Sequence, residues 1–177
     1  MTDFSIAAVV YEDEGDAAAA ALWQAAAGLR GTYRIGGLLN PLDGQGRHIN
    51  SRLVSLADGA EYDIFQNLGS GSSGCKLDAG MLAAAGKALQ AAIQIRADLV
   101  FSNKFGHAEI ENRGLLAEYL AAAAAGIPVI TALHGKYLPQ WRDFCGGEGA
   151  ELPARAQAVA AWAHKVLAAP RRDRETV

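Results

Sequence analysis

The sequence predicts a three-layer α/β protein: a mostly parallel sheet, helices on both of its faces, and an inserted β-hairpin. Short runs rich in β-branched and aromatic residues alternate along the chain with longer alanine-rich segments that favour helix. Strands separated by helices in this way indicate a parallel sheet with crossover connections. The hairpin is predicted from "ADGAE" between two short apolar runs, because Asp-Gly is typical of tight hairpin turns.

The predicted elements of the first half begin near the N-terminus. Residues 4–10 are predicted as a strand, and residues 16–30 as a helix with Asp16 at its N-cap. The run "YRIGGLL" predicts a second strand over 33–39, and we expect the turn-rich "NPLDGQGRHINS" after it to lie on the surface. The hairpin strands are predicted at 52–56 and 62–66.

The second half repeats the alternation of helix and strand. Its predicted elements are a helix over 78–95 capped by Asp78, a strand over 99–102, a helix over 112–125, a strand over 129–133, a short helix ending at 144, and a helix over 153–168. A glycine-rich break, "CGGEG", separates the last two helices. We expect one α/β domain over 1–168 and a flexible tail over 169–177.

Composition bears on partners and location. The 177 residues are 51% hydrophobic and carry a net charge of −3, so the strongly basic face of a nucleic-acid binder is not expected. Cys75 and Cys145 are far apart and form neither a CxxC pair nor a disulfide framework. No basic region precedes the first apolar run, and no segment is apolar enough for membrane insertion. We therefore expect a reduced, cytoplasmic protein.

The candidate site lies in the loops that follow the parallel strands, because ligands of open parallel sheets bind beyond the carboxyl ends of the strands. These loops read "YEDEGD", "SNKFGHAEIENR" and "HGKY" and should meet at one edge. Asn103 and Lys104 end one strand, and the helix predicted after them would offer free N–H groups near Asn112 and Arg113 to an anion. Lys136 would add positive charge, and His134 a hydrogen-bond donor.

A second interpretation of the same loop stays open. Lys104 and Arg113 are equally compatible with solvated surface charges, with Glu109 or Glu111 pairing with Arg113. Residue types alone do not separate an anion site from a polar surface.

The stretch "GSGSSGCKL" is a second candidate for an anion-binding loop. Its candidate ligands are Ser70, Ser72, Ser73, Gly74, Cys75 and Lys76. Gly69 and Gly74 have the spacing of a phosphate loop, but Cys75 stands before the lysine, and Leu77 occupies the place of the magnesium-binding Ser or Thr. The alternative is a simple loop leading to the helix capped by Asp78. Cys75 itself is either a thiol with a lowered pKa or a small buried hydrophobe.

Metal and catalytic sites are not predicted. The histidines, His48, His107, His134 and His164, lack the spacing of zinc ligands. The acids at 12–14 either bind a cation or are solvated. No nucleophile elbow and no convincing Ser-His-Asp grouping is found, so we name no catalytic residue.

A family resemblance covers nearly the whole chain. The segments "ADLVFSNKFGHAEIENRGLLAEYLAAAAAGIPVITAL", "GCKLD" and "WRDFCGG" resemble a bacterial family, domain of unknown function 2478, whose members are associated with molybdenum transport. This family is similar to small P-loop nucleoside-triphosphatases whose second motif reads Asp-Glu-Ile-Gly. The resemblance implies a degenerate P-loop NTPase-like fold in which Asn103 replaces the magnesium-linked Asp, and Lys104 the Glu that assists water attack. The first loop also lacks GK[ST].

These substitutions lead to two functional hypotheses and a third possibility. The first is a small-oxyanion binding protein, for molybdate or tungstate, that acts in molybdenum handling without hydrolysis and requires no cofactor. The second is a degenerate P-loop nucleotide-binding protein or nucleoside-triphosphatase, so an enzymatic role stays open. The third is an interaction module whose alanine-rich helices pack against a second copy, which would make the protein a homo-oligomer.

Overall fold

The computed structural model describes residues 5–67 and 75–169. In chain order its strands and helices are β1 (Ile6–Tyr11), α1 (Asp16–Leu29), β2 (Ile35–Leu39), β3 (Arg52–Ser55), β4 (Glu61–Asp63), β5 (Phe65–Asn67), β6 (Cys75–Leu77), α2 (Ala79–Gln94), β7 (Leu99–Ser102), α3 (His107–Ile110), α4 (Leu116–Ala124), β8 (Val129–His134), α5 (Leu138–Phe144), β9 (Ala150–Pro153) and α6 (Ala156–Ala168). Strands alternate with helices over these ranges, except that β2 to β6 follow one another, as do α3 and α4.

A seven-stranded sheet forms the centre of the fold, in the order β4-β3-β2-β7-β8-β1-β9. The strands from β2 to β9 in this order run parallel to their neighbours. The hairpin β3–β4 extends the sheet in antiparallel pairing beside β2. The predicted mostly parallel sheet with a hairpin insertion is therefore confirmed.

Apolar side chains of the strands alternate between two cores. Along β1, Ala7 and Val9 belong to the core that α1 and α6 cover. Ile6 and Ala8 belong to the opposite core, which α2, α4 and α5 cover. Because successive side chains of a strand point to opposite faces, a strand buried on both sides must be apolar throughout. The resulting architecture is three layers, helix on sheet on helix.

The two glycines of "IGGLL" bring neighbouring backbones close together. Gly37 has a φ of 116°, and a Cβ there would fall 1.7 Å from the carbonyl oxygen of Phe101 on β7. A Cβ on Gly36 would fall 2.6 Å from the Cβ of Ala92 on α2. Both strand pairing and helix packing at this point therefore require residues without a side chain.

Two helix starts differ from the prediction. The N-cap of α1 is Gly15, not Asp16, and the Asp16 carboxylate instead accepts a hydrogen bond from the backbone N–H of His48 at 3.0 Å. The helix predicted from 112 begins at Leu116 as α4, because Asn112 and Gly114 adopt positive φ values of 59° and 65°. Residues 107–110, expected as part of a loop, form the short helix α3. The cap of α2 is as predicted: Asp78 Oδ1 accepts the N–H of Met81 at 3.1 Å.

The sequence prediction also missed strands. Residues 150–153 form the edge strand β9 beside β1, where a glycine-rich break and the start of the last helix were expected. The segment is short and ends in proline, which only an edge strand tolerates, and it is stabilised by pairing with β1 rather than by its own propensity. Residues 75–77, expected mainly as loop, form β6, which pairs with β5. The single strand predicted at 62–66 is divided between β4 and β5.

The predicted flexible tail, 169–177, lies outside the described residues except for its first residue. Among the helices of the described ranges, none combines the length and the apolar character that crossing a membrane needs.

Candidate functional site

The loops after β1, β7 and β8 meet at the carboxyl edge of the parallel strands, as expected. The rings of Tyr11 and His134, which end β1 and β8, pack edge to face with centroids 5.3 Å apart. The Glu12 carboxylate, after β1, lies against the backbone of the loop after β8. A Cβ on Gly135 in that loop would fall 1.9 Å from Glu12 Oε1. Lys136 in that loop is close enough to Lys104 to lower the pKa of its ammonium group. The three loops thus form one continuous polar surface.

Lys104 is half-buried at the tip of β7. Its Nζ donates a hydrogen bond of 2.7 Å to Oδ1 of Asn50, which is a neutral acceptor. Burial lowers the pKa of Lys104, the carboxylate of Glu109 opposes this shift, and Lys136 adds to it. Within the described residues no carboxylate forms an ion pair with this ammonium group. A partly desolvated cation with a neutral partner favours binding of an anion.

Glu109 is buried, interacts electrostatically with Lys104, and hydrogen-bonds to the backbone through both carboxylate oxygens. Its Oε2 accepts the N–H of Gly106 at 2.9 Å, and its Oε1 accepts the N–H of Leu115 at 3.2 Å. Burial raises the pKa of this carboxyl group, and these two hydrogen bonds partly offset the shift. The carboxylate therefore fixes the loop between α3 and α4 and offsets the charge of Lys104 only through space.

Asn103 is buried next to Lys104 and is oriented by another asparagine. Its Nδ2 donates to Oδ1 of Asn40, which follows β2. Asn40 in turn donates from Nδ2 to the carbonyl oxygens of Arg52, at 2.7 Å, and Ile49, at 3.3 Å. The remaining atom, Asn103 Oδ1, has no hydrogen-bond partner among the described residues. The tip of β7 thus combines a cation with a buried amide whose carbonyl oxygen lacks a partner.

The segment 40–51 lies across this edge, and its role was not predicted. Most of it lies at the surface as expected, but Asn40 is 2% exposed, His48 contacts Asp16 at the start of α1, and Asn50 contacts Lys104 at the tip of β7. The ring Nδ1 of His48 lies 2.5 Å from Asp16 Oδ1 at the start of α1. His48 was considered only as a metal ligand, and its partner lies 32 residues away in sequence. The one available signal was Asn40 directly after a buried strand, the same position that singled out Asn103.

The other residues predicted around Asn103 have separate partners. The guanidinium group of Arg113 is exposed and forms an ion pair with Glu111, as the second interpretation described. The N–H groups of Asn112 and Arg113, expected to be free, donate to the carbonyl oxygens of Glu109 at 3.1 Å and Ala108 at 2.8 Å. That expectation was wrong, because these residues close the turn after α3 instead of beginning a helix.

His134 ends β8 beside the site. Its Nδ1 accepts the N–H of Lys136 at 3.1 Å, so this nitrogen acts as an acceptor and not as the predicted donor. The other ring nitrogen keeps the capacity to donate in that tautomer. His134 therefore stays in position at the edge, next to Tyr11.

The second candidate loop lies mostly outside the described residues. Ser70, Ser72, Ser73 and Gly74 lie outside the described residues. Cys75 and Lys76 belong to β6, whose backbone pairs with β5 in register Asn67↔Cys75 and Gln66↔Lys76. A strand at this point means that Lys76 does not open a helix as the lysine of a phosphate loop does.

Chemically, the edge offers hydrogen bonds and a positive charge. Within 5–67 and 75–169, no group of three or more His, Cys, Asp or Glu side chains is arranged to hold a metal ion. The other cysteine, Cys145, directly follows α5, and burial raises the pKa of its thiol to about 12. At this edge, Lys104 and the amides of Asn50 and Asn103 supply the positive charge and the polar groups.

Comparison with known proteins gives three findings. The sequence profile of the family described as "Protein of unknown function (DUF2478)" matches residues 6–162. The chain is 38% identical over 172 residues to the molybdenum import ATP-binding protein ModC 2 of Bradyrhizobium diazoefficiens; the match covers 96% of this chain and 19% of that protein. The chain therefore spans about a fifth of the length of this curated relative.

The third finding concerns the fold. The solution structure of a human cancer-related nucleoside triphosphatase superposes with a TM-score of 0.61 at 12% identity, covering 92% of this chain and 96% of that one. This likeness confirms the predicted P-loop NTPase-like fold. At this identity it extends to the fold alone.

Proposed function

The chain belongs to the DUF2478 family, and on this premise we propose that it binds a small tetrahedral oxyanion, molybdate or tungstate, in molybdenum handling and does not hydrolyse a nucleotide. The observation that carries the proposal is the half-buried ammonium of Lys104, whose hydrogen-bond partner is the neutral amide of Asn50. A dianion beside Nζ would form the direct ion pair that the Glu109 carboxylate, bonded to backbone N–H groups, does not form. Charge-assisted hydrogen bonds are about twice as strong as neutral ones.

Charge at the other loops supports a bare anion over a nucleotide. Glu12, Asp13 and Glu14 follow β1, the strand whose loop would cradle phosphates, and the chain contains no GK[ST] sequence. These acids would repel a triphosphate unless cations intervened. A small dianion at Lys104 needs less room than a nucleoside triphosphate. A single positive charge is enough to hold it.

The relative supports the assignment to molybdenum. Its name describes a molybdenum import ATP-binding protein, and this chain corresponds to only 19% of its length. Because the chain lacks a recognisable nucleotide loop, we assign the ATP binding of the relative to the remaining part of that protein. The segment shared with this chain would then bind the molybdenum oxyanion.

Calorimetric titration with molybdate, tungstate, sulfate and phosphate, without magnesium, tests the proposal. We expect saturable binding of molybdate and tungstate that weakens by about tenfold or more in Lys104→Met. Lys87→Met is the matched control, because Lys87 is an exposed lysine on α2 and its replacement should leave affinity unchanged. Heats no different from buffer for all four anions would exclude the proposal.

Nucleotide binding is the second candidate, which the fold favours. Release of phosphate from ATP or GTP with magnesium, lost in Lys76→Ala, would support it. A rise in melting temperature with nucleotides but not with molybdate would likewise favour nucleotide binding over oxyanion binding.

A further inference from the structure

The side-chain amide of Asn50 has a fixed orientation beside Lys104. Its Oδ1 accepts the hydrogen bond from Lys104 Nζ at 2.7 Å. An ammonium group can only donate, so the oxygen of the amide, and not its nitrogen, must face Lys104. The two N–H groups of Asn50 Nδ2 are not used in this contact. Among the described residues they donate to no other acceptor.

The backbone holds Asn50 in place on both sides. The N–H of Ile49 donates to the carbonyl oxygen of Pro41 at 2.8 Å. The carbonyl oxygens of Ile49 and Arg52 accept from Nδ2 of Asn40, at 3.3 Å and 2.7 Å. Asn50 lies between these two anchored residues and is itself exposed. A ligand can therefore reach its amide without displacing the segment.

The nitrogens of Lys104 and Asn50 are close enough to share one ligand. Nζ lies 2.7 Å from Oδ1. Within a carboxamide the oxygen and the nitrogen are about 2.2 Å apart, because both are bonded to the same carbon, so Nζ and Nδ2 are at most about 5 Å apart. Hydrogen bonds from N–H to oxygen are about 2.7–3.2 Å long, so one oxygen, or two oxygens of one small anion, can accept from both nitrogens.

Both groups offer donors to such a ligand. The ammonium group carries three N–H donors and the amide nitrogen two, whereas Oδ1, the acceptor of Asn50, is already bonded to Lys104. Asn50 thus adds donors to the site without adding charge. This combination favours an anion with several oxygens over a cation or a ligand that only donates.

We propose that Asn50 is a direct ligand of the oxyanion, and that its Nδ2 donates to the same anion that Lys104 binds through Nζ. This inference rests on the oxyanion binding proposed above and adds to it a residue 54 positions away from Lys104 in sequence. The hydrogen bond between the two side chains orients the amide before the anion arrives, so little freedom is lost on binding.

Calorimetry with molybdate on Asn50→Ala tests this role. If Asn50 only occupied Nζ, its removal would free the ammonium group, and affinity would stay the same or rise. Because we infer that Asn50 binds the anion itself, we expect Asn50→Ala to weaken molybdate by about tenfold. Gln45→Ala is the matched control, since Gln45 is an exposed amide of the same segment and its replacement should leave affinity unchanged.

Nuclear magnetic resonance on the wild type gives a second readout, which does not depend on the folding of a variant. Titration of ¹⁵N-labelled protein with molybdate should shift the side-chain N–H signals of Asn50, with the same dissociation constant as calorimetry gives. The side-chain N–H signals of Gln45 should not move.

The outcomes separate this inference from the proposed function. No heat with molybdate in the wild type would exclude oxyanion binding, and the role of Asn50 with it. Saturable binding by the wild type, together with equal or higher affinity in Asn50→Ala or with unshifted Asn50 signals, would overturn the role of Asn50 alone.

Discussion

Asn40 and Asn103, which follow the neighbouring strands β2 and β7, are joined by a hydrogen bond between their side-chain amides. The direction of this bond is fixed by the backbone. Asn40 Nδ2 donates to two carbonyl oxygens, so its Oδ1 must face Asn103, which then donates from its own Nδ2. The amide of Asn103 therefore has one allowed orientation, with its Oδ1 left for another donor.

Replacing Asn40 should weaken both the fold and the site. Asn40→Ala leaves Asn103 Nδ2 and two carbonyl oxygens without their partner, and we expect a loss of about 2–4 kcal/mol in the free energy of unfolding. Asn40→Asp tests the direction of the bond: its carboxylate can accept from Asn103 but cannot donate to Arg52 and Ile49. Urea denaturation measures both. An Asn40→Asp variant as stable as the wild type would contradict the assigned direction.

Much of this architecture is readable from the sequence because it follows from apolar periodicity. The strands at Leu99 and Val129 are buried on both faces and stand between alanine-rich helices, which specify a parallel sheet without further information. β9 was missed because its pairing with β1 is a tertiary effect that local propensity does not report.

The residues of the site could be predicted only in part, for a related reason. Asn103 and Lys104 were found from their place after a buried strand, but Asn50 contacts Lys104, and His48 contacts Asp16, from a long loop. Their partners lie 54 and 32 residues away in sequence. Helix signals also misplaced the N–H groups near Arg113, because the turn between α3 and α4, where Asn112 and Gly114 have positive φ, has no unique sequence signature.

The glycine at the β2–β7 contact predicts a large effect on stability. Gly37→Ala would place a Cβ 1.7 Å from the carbonyl oxygen of Phe101, in a backbone conformation that alanine rarely adopts. We expect a loss of about 3 kcal/mol or more, measured by thermal or urea unfolding. Gly28→Ala is the control: this helical glycine has open space around it, and the change should stabilise by up to about 1 kcal/mol. Similar effects of the two changes would contradict the close approach of β2 and β7.

The Asp16–His48 contact predicts that the stability of the fold depends on pH. Hydrogen bonds from the backbone and ring of His48 lower the pKa of Asp16. A carboxyl group with a lowered pKa in the folded state stabilises the fold above its unfolded pKa, and this contribution is lost as pH falls through the folded value. Melting temperatures of the wild type and Asp16→Asn should therefore differ near neutral pH and converge in acid. A difference that stays constant across this range would show that the charge of Asp16 contributes nothing.

The lowered pKa of Lys104 predicts how affinity for the anion depends on pH. Binding of an anion favours the ammonium form, so affinity is complete below the pKa of Lys104 and falls as pH rises through it. Because burial places this pKa below the usual 10.5, the loss should begin at lower pH than for an exposed lysine. Molybdate remains a dianion over this range, so the change would come from the protein.

Lys104→Arg should bind with a nearly flat profile between about pH 7 and about pH 10, since guanidinium stays protonated. Parallel profiles for the wild type and Lys104→Arg would show that the ammonium group is not the anion's partner, whereas a decline confined to the wild type would identify Lys104 as the group that titrates.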